Sequence, residues 1–298
     1  MRIMRKIKEF YLKRRKFFLR FISVFLVVSF ALGIFTLYDN FRLDIEHIPV
    51  SSSKLSQSFD GFKIAHISDY HSRKSKIVND LIFKALNEEK PDIIVLTGDL
   101  IDCRSVDVAT AITFAERLSE ITDVYFVSGN HEGNYLITDP WGYMSYMEQL
   151  RATGVKVLTN ETTEIHAEDG SSFYLHGIDD PYLAKDRVDI KYATDSICSG
   201  LVKGDGFNIL LAHHPEQLDV YSEYGFDLVF SGHAHGGQIT LFGLGLFAPD
   251  QEGFPKYTSG LYEEGDTKLI LSRGIGYSLA PLRFFCASHL IITELNSK

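Results

Sequence analysis

Residues 62–99 read FKIAHISDYHSRKSKIVNDLIFKALNEEKPDIIVLTGD, and this stretch decides the fold. Phe62 to Ser68 reads as a strand that ends at Asp69. Ile77, Val78, Leu81, Ile82 and Ala85 then fall at i, i+1, i+4, i+5 and i+8, one face of a helix. Asp92 to Leu96 is a second short apolar run, stopped by Thr97-Gly98-Asp99. The unit repeats once. Val108, Ile112, Ala115 and Leu118 mark a helix, and Val124 to Val127 a third strand, stopped by Ser128-Gly129-Asn130-His131. Short apolar strands separated by amphipathic helices imply parallel strands joined by right-handed crossovers.

Further along, strands are expected at Val155–Leu158, Thr162–Ala167, Phe173–Ile178, Phe207–Leu211, Leu228–Phe230, Lys268–Leu271 and Leu290–Thr293. Helices are expected near Trp141–Thr153 and Lys185–Ser199. The class is therefore α/β with mixed sheets. In the other direction lies Phe21 to Tyr38 (FISVFLVVSFALGIFTLY), an 18-residue run without a charge or a polar face. At ~1.5 Å rise per residue it is just long enough to cross a ~30 Å hydrocarbon core. Residues 1–20 hold nine Lys and Arg and one Glu. The positive-inside rule keeps that segment cytoplasmic and places everything after Tyr38 outside. A cleaved signal peptide is the alternative, but the run is longer than an ordinary h-region and no A-x-A site follows it. Arg14-Arg15-Lys16-Phe17-Phe18-Leu19 also resembles a twin-arginine export signal, which leaves the export route open. The expected organisation is a basic cytoplasmic segment at 1–20 and a transmembrane helix at 21–38. A stalk with a leading strand then covers 39–60, and one domain covers 61–298.

Composition narrows the function. The 298 residues are 45% apolar and 23% charged, a globular balance that excludes a disordered chain. Cys103, Cys198 and Cys286 are too few and too scattered for a disulfide framework or a thiolate metal site. The net charge is −9, and because residues 1–20 carry +8 the chain beyond them carries −17, which argues against nucleic acid as a partner.

The chemistry sits at the strand ends, the edge where open α/β sheets bind ligands. In order these are Asp69-Tyr70-His71, Gly98-Asp99, Gly129-Asn130-His131-Glu132, His213-His214-Pro215 and Gly232-His233-Ala234-His235. Taken singly, each is ordinary turn or packing chemistry. Taken together they are a ligand set. In extended chain, residues i and i+2 point to one side, so Asp69 and His71 would converge, as would His233 and His235. Glycine before Asp99, Asn130 and His233 lets the backbone turn and come close. Imidazole nitrogens with carboxylate and amide oxygens suit Mn, Fe, Co or Zn. Seven such ligands suffice for two ions sharing a carboxylate, which can clamp the attacking and leaving oxygens of a phosphoryl displacement.

The series D-x-H, G-D, G-N-H-E, H and G-H-x-H, in this order from about residue 62 to 274, resembles the calcineurin-like metallophosphoesterase family. The GHAHGGQ at 232–238 and the basic membrane segment are most similar to its bacterial membrane-associated or exported branch. The resemblance implies a four-layer α/β/β/α sandwich and hydrolysis of a phosphodiester or pyrophosphate by metal-bound hydroxide. It implies Asp69, His71 and His235 as ligands of a first divalent transition-metal ion, and Asn130, His213 and His233 as ligands of a second. Asp99 bridges them. His131 matches the family's non-ligand histidine, which stabilises the transition state or protonates the leaving oxygen, with Asp102 its candidate carboxylate partner. The alternative is a non-catalytic metal-binding scaffold of the same fold, which the presence of all seven ligands and His131 disfavours. The substrate is a phosphorylated small molecule or a lipid-linked one at the outer membrane face. His214, next to a ligand, is expected to pack or support. Arg273 and Arg283 either grip a substrate phosphate or lie on the surface. His66 is expected in the core. His176 and Asp179-Asp180 are possible neighbours of the site.

Overall fold

The repeating strand–helix unit builds the first of two six-stranded sheets. The computed structural model describes residues 2–181, 189–237, 240–241, 244–245, 248–249, 251, 255–277 and 283–298. A single helix, α1 (Arg2–Asn40), leads into β1 (Leu43–Ser52), and only Phe41 and Arg42 separate them. Then follow β2 (Phe62–Ile67), α2 (Lys76–Glu89), β3 (Ile93–Thr97), α3 (Val108–Ser119), β4 (Asp123–Val127), α4 (Asn130–Thr138), α5 (Pro140–Ala152) and β5 (Lys156–Val157). The second half carries β6 (Glu161–His166), β7 (Ser172–Gly177), α6 (Ile190–Gly200), β8 (Asn208–Leu211), α7 (Leu218–Glu223) and β9 (Leu228–Ser231). A two-residue pair, β10 (Thr240–Leu241) and β11 (Leu244–Gly245), precedes β12 (Gly260–Glu264), β13 (Thr267–Leu271) and β14 (Ser288–Ser297).

The first sheet has the order β1-β14-β2-β3-β4-β5 and the second β12-β13-β9-β8-β7-β6. Strands β2, β3 and β4 run parallel, as the two crossovers require. Each sheet is mixed: β14 is antiparallel to β2, and β12–β13 and β6–β7 are antiparallel pairs.

Strand alternation explains the layers. Ile94 and Leu96 of β3 face α2, α3 and α5, whereas Ile93 and Val95 face the other sheet. Ile209 and Leu211 of β8 meet them from the second sheet, and Leu210 turns outward to pack with Cys198, Val220 and Tyr221 of α6 and α7. Three apolar cores between four layers make an α/β/β/α sandwich. Because β2, β3, β4, β8 and β9 all end at one rim, the polar residues that follow them are delivered to a common place.

Several boundaries differ from the sequence expectation. Asn130–Thr138 is helix rather than turn, because Glu132 three residues after Gly129 caps its first turn through the Gly129 N–H. β14 spans ten residues because the whole of β1 pairs along it. The helix expected at Lys185–Ser199 is seen as α6, and positions 182–188 lie outside the described residues, as does Gln238 of the GHAHGGQ stretch.

Candidate metal centre

The loops after β2 and β3 are stitched together before any side chain is considered. Asp69 N donates to Gly98 O at 3.1 Å, His71 N to Asp99 O at 3.0 Å and Ser72 N to Leu100 O at 2.9 Å. Gly98 has φ 87°, and a Cβ there would lie 2.7 Å from both Gly129 Cα and His213 Nδ1. The other two motif glycines serve close approach alone: a Cβ on Gly129 or Gly232 would strike the Asp99 or Asp69 carboxylate at 2.4 Å.

The expected extended geometry is not how the ligands converge. Asp69, His71, Asp99, His233 and His235 all have positive φ, between 49° and 69°. Left-handed turns, not strand alternation, fold each D-x-H or H-x-H inward. Such conformations cost on the order of 1–3 kcal/mol each for residues with a Cβ, and they concentrate at functional sites.

Two donor groups result. In the first, His235 Nε2 lies 3.3 Å from Asp69 Oδ1 and 3.2 Å from His71 Nε2, and His71 Nε2 lies 3.8 Å from Asp99 Oδ2. In the second, His213 Nε2 is 3.3 Å from Asp99 Oδ2, 3.2 Å from Asn130 Oδ1 and 3.2 Å from His233 Nδ1. Asp99 belongs to both. All seven side chains that the sequence singles out thus meet at one rim. Six of them are buried, and Asn130 is partly exposed.

The donor set fits metal ions better than hydrogen bonding. With the ring neutral, His213 Nδ1 donates to Thr97 O at 2.7 Å, which leaves its Nε2 a lone pair. That lone pair faces an amide oxygen, a carboxylate oxygen and another imidazole nitrogen. Acceptors converging on an acceptor form a coordination set. Burial holds the His71 pKa down at about 3 and the His235 pKa well below the ordinary value, so both rings are neutral, as ligands must be. Burial opposes charge on His213, yet Asp99 and Asp69 carry its pKa up to about 9, so its Nε2 takes up a proton or, in the proton's place, a metal cation. Two buried carboxylates, Asp69 and Asp99, are costly unless cations accompany them.

His131 lies at the edge of this cluster. Its Nε2 is 3.8 Å from Asp99 Oδ2, and its Nδ1 is 3.2 Å from Asp102 Oδ1 and 3.0 Å from the Cys103 N–H. Burial disfavours the imidazolium, but Asp99 and Asp102 outweigh it and raise the pKa to about 11. Asp102 is itself gripped by Arg104, whose Nη2 and Nε donate at 2.7 and 2.9 Å. Nothing in the spacing of the sequence signals that clamp.

One further role has little signal in the sequence. Glu132 is fully buried and accepts four main-chain N–H bonds. Oε2 takes those of Asp99 and Gly129 at 2.8 and 2.9 Å, and Oε1 those of Leu100 and Ile101 at 2.9 and 3.2 Å. The loops carrying Asp99 and Asn130 are held in register by this one carboxylate. Its only sequence signal is an acid three residues after a helix-capping glycine. Glu132→Ala leaves four buried donors unmet, so a stability loss of roughly 2–4 kcal/mol is expected in denaturant titration. Unchanged unfolding would show that the loops hold without it. His214, expected to pack or support, is buried between Asp180 Oδ2 at 2.8 Å and Glu216 Oε1 at 2.6 Å, with its ring against that of His233.

The remaining candidates separate cleanly. His66 is a core residue bonded to Thr97 Oγ1 at 2.8 Å, and His176 bonds Thr162 and Asn208 away from the centre. Asp179 accepts from Ser128 Oγ at 3.0 Å. Arg283 is neither a phosphate grip nor a surface residue. It is fully buried and donates to the carbonyls of Cys286, Gly276, Arg273 and His235. Arg273 pairs with Asp44 of β1 at 3.0 Å.

With this geometry in hand, similarity to known proteins is informative. A family model described as calcineurin-like phosphoesterase matches residues 62–237. The metallophosphoesterase YkuE of Bacillus subtilis (strain 168) is 32% identical over 253 residues, 83% of this chain and 84% of that one. The phosphodiesterase YaeI of Escherichia coli (strain K12) is 30% identical over 246 residues, 78% of this chain and 82% of that one. A Bos taurus protein named transmembrane protein with metallophosphoesterase domain is 28% identical over 263 residues, 83% of this chain but 55% of that one.

Proposed function

The chain belongs to the calcineurin-like phosphoesterase family, and from that premise we propose that it is a membrane-anchored dimetal enzyme hydrolysing a phosphodiester or pyrophosphate outside the cytoplasm. The observation that carries this reading is the pair of donor groups sharing Asp99, with His131 Nε2 beside the shared carboxylate. Asp69, His71, Asp99 and His235 would hold one divalent ion, and Asp99, Asn130, His213 and His233 the other. When bound, such a pair supplies Lewis-acid stabilisation of a phosphoryl group and lowers the pKa of water.

The protein's own contribution is positioning and proton transfer. Thr97 O fixes the tautomer of His213, and Glu132 fixes the loops that carry Asp99 and Asn130. His131 keeps a proton on Nε2 in either charge state. Neutral, its Nδ1 accepts from Cys103 N–H; charged, it donates to Asp102. Nε2–H is thus available to the leaving oxygen of the ester. Helix α1 from Phe10 to Asn40 is long and apolar enough to cross a membrane. The basic residues before Phe21 favour the orientation with those residues inside and the metal-binding domain outside.

Metal removal tests the reading. Full-length protein in detergent micelles, stripped by a chelator, is expected to lose bis-p-nitrophenyl phosphate turnover at least about a hundredfold and to regain it with Mn or Zn. If metal binds while neither this ester nor a pyrophosphate panel turns over, the chain is a scaffold of the same fold.

A further inference from the structure

Resting on the membrane-anchored phosphoesterase reading above, the geometry points to a second membrane contact beside the metal centre. The Phe284–Phe285 turn lies in the bilayer surface, and the site acts on phosphoesters carried by lipid head groups.

The depth of this turn follows from its partner. The Phe285 ring lies 5.0 Å from that of Phe35, which belongs to the uncharged run Phe21–Tyr38. Phe35 sits three residues inside the end of that run, so it lies ~4.5 Å deeper than Tyr38 along a helix normal to the bilayer. A ring whose centroid lies 5.0 Å from that of Phe35 lies within about one helical turn of its depth. Phe284 and Phe285 remain 39% and 37% exposed, and Tyr38 and Phe41 beside the helix end are 62% and 49% exposed. Tyrosine concentrates where the hydrocarbon meets the head groups, and exposed phenylalanine rings bury at that boundary.

The domain is not free to lift away. Thr36, Asp39 and Asn40 are buried, and Asn40 exchanges two bonds with the Arg283 main chain, Nδ2 to O at 2.9 Å and N to Oδ1 at 3.0 Å. The Arg73 guanidinium adds a bond to Asn40 O. Nor is the turn remote from the chemistry. Residues on both sides of the phenylalanine pair reach the same carbonyl: Arg283 Nη2 and Cys286 Sγ each lie 3.4 Å from His235 O. Consecutive Cα atoms are ~3.8 Å apart, so the metal loop and the lipid-facing rings are separated by only a few residues' length. The occupant of this surface is lipid rather than another protein because the surface is continuous with the membrane span itself. An enzyme fixed this way meets phosphate in the head-group layer first.

The test uses the full chain in phosphatidylcholine vesicles. Trp141→Phe removes the one native tryptophan, and Phe285→Trp then reports depth through quenching by phosphatidylcholine brominated on its acyl chains. Strong quenching is expected; an unquenched indole overturns the proposal. Turnover is compared on two esters with one leaving group: soluble bis-p-nitrophenyl phosphate, and the p-nitrophenyl ester of phosphatidic acid dispersed in the vesicles. Replacing both phenylalanines (Phe284→Ser with Phe285→Ser) is expected to lower kcat/KM for the lipid ester by about tenfold or more and to leave the soluble ester within about twofold. Equal loss on both, no loss on either, or a wild type active only on the soluble ester overturns it. A wild type with bound metal that is inactive on both esters removes the phosphoesterase reading instead, and the quenching result still decides the membrane contact.

Discussion

Asp99→Asn is expected to lower kcat/KM for a phosphodiester by roughly 10²–10³-fold, the loss that removing one electrostatic contact to a transition state costs. Asp99 is the one residue common to both donor groups, with Oδ2 3.3 Å from His213 Nε2 and 3.8 Å from His71 Nε2. An amide keeps the shape and can keep the acceptor for His131 N, which donates to Oδ1 at 2.8 Å. It loses the charge. His213 holds the Asp99 carboxyl well below the ordinary range against the pull of burial, so the site is built around an anion there. Removing that anion weakens both ions together. Metal content per chain, read by mass spectrometry, is expected to fall along with activity. The metal-free protein should unfold no earlier than wild type, because a buried charge has been deleted and not created. Full metal content with full turnover would mean that Asp99 is not shared.

How much of this was legible in the sequence depends on what kind of information each residue carries. Strands β2, β3 and β4 and their helices were readable because burial imposes periods of two and 3.6 on the chain, as Ile93 to Leu96 and Ile77 to Ala85 show. The order of polar residues at the strand ends was readable for the same reason, since a strand's end is marked by where its apolar run stops. The backbone that aims those residues was not. Nothing distinguishes an aspartate or histidine at φ near +50° from one in extended chain until neighbouring loops bond its main chain, as Gly98 O and Asp99 O do for Asp69 and His71. Arg283 misleads in the opposite sense. Arginine is almost never fully buried, and only the fold reveals the ring of carbonyls around it. Glu132 was visible as a letter in G-N-H-E, but its four donors come from two separate stretches of main chain, 99–101 and Gly129.

His131→Ala separates proton transfer from metal binding. It is expected to lower kcat by ~10²–10⁴-fold, the usual worth of a positioned general acid, while metal content stays at the wild-type level. The ring is not among the atoms that converge on His213 Nε2 or His235 Nε2, so its loss leaves both donor groups intact. Asp102→Asn acts through it. Asp102 lies 3.2 Å from His131 Nδ1 and touches neither donor group's shared carboxylate, and Arg104 holds it in place. Its replacement is expected to cost only about 10–100-fold, the range for groups that orient a reactive histidine. The two substitutions should not multiply, because the carboxylate has no route to the substrate except the ring: a double variant no slower than His131→Ala marks Asp102 as a positioning residue. An ester with a good leaving group offers a further check. Bis-p-nitrophenyl phosphate needs little protonation of its departing oxygen, so the His131→Ala deficit should shrink on it relative to an alkyl ester. A deficit equal on both esters would assign His131 to charge stabilisation at phosphorus, and a loss of bound metal would make it a ligand.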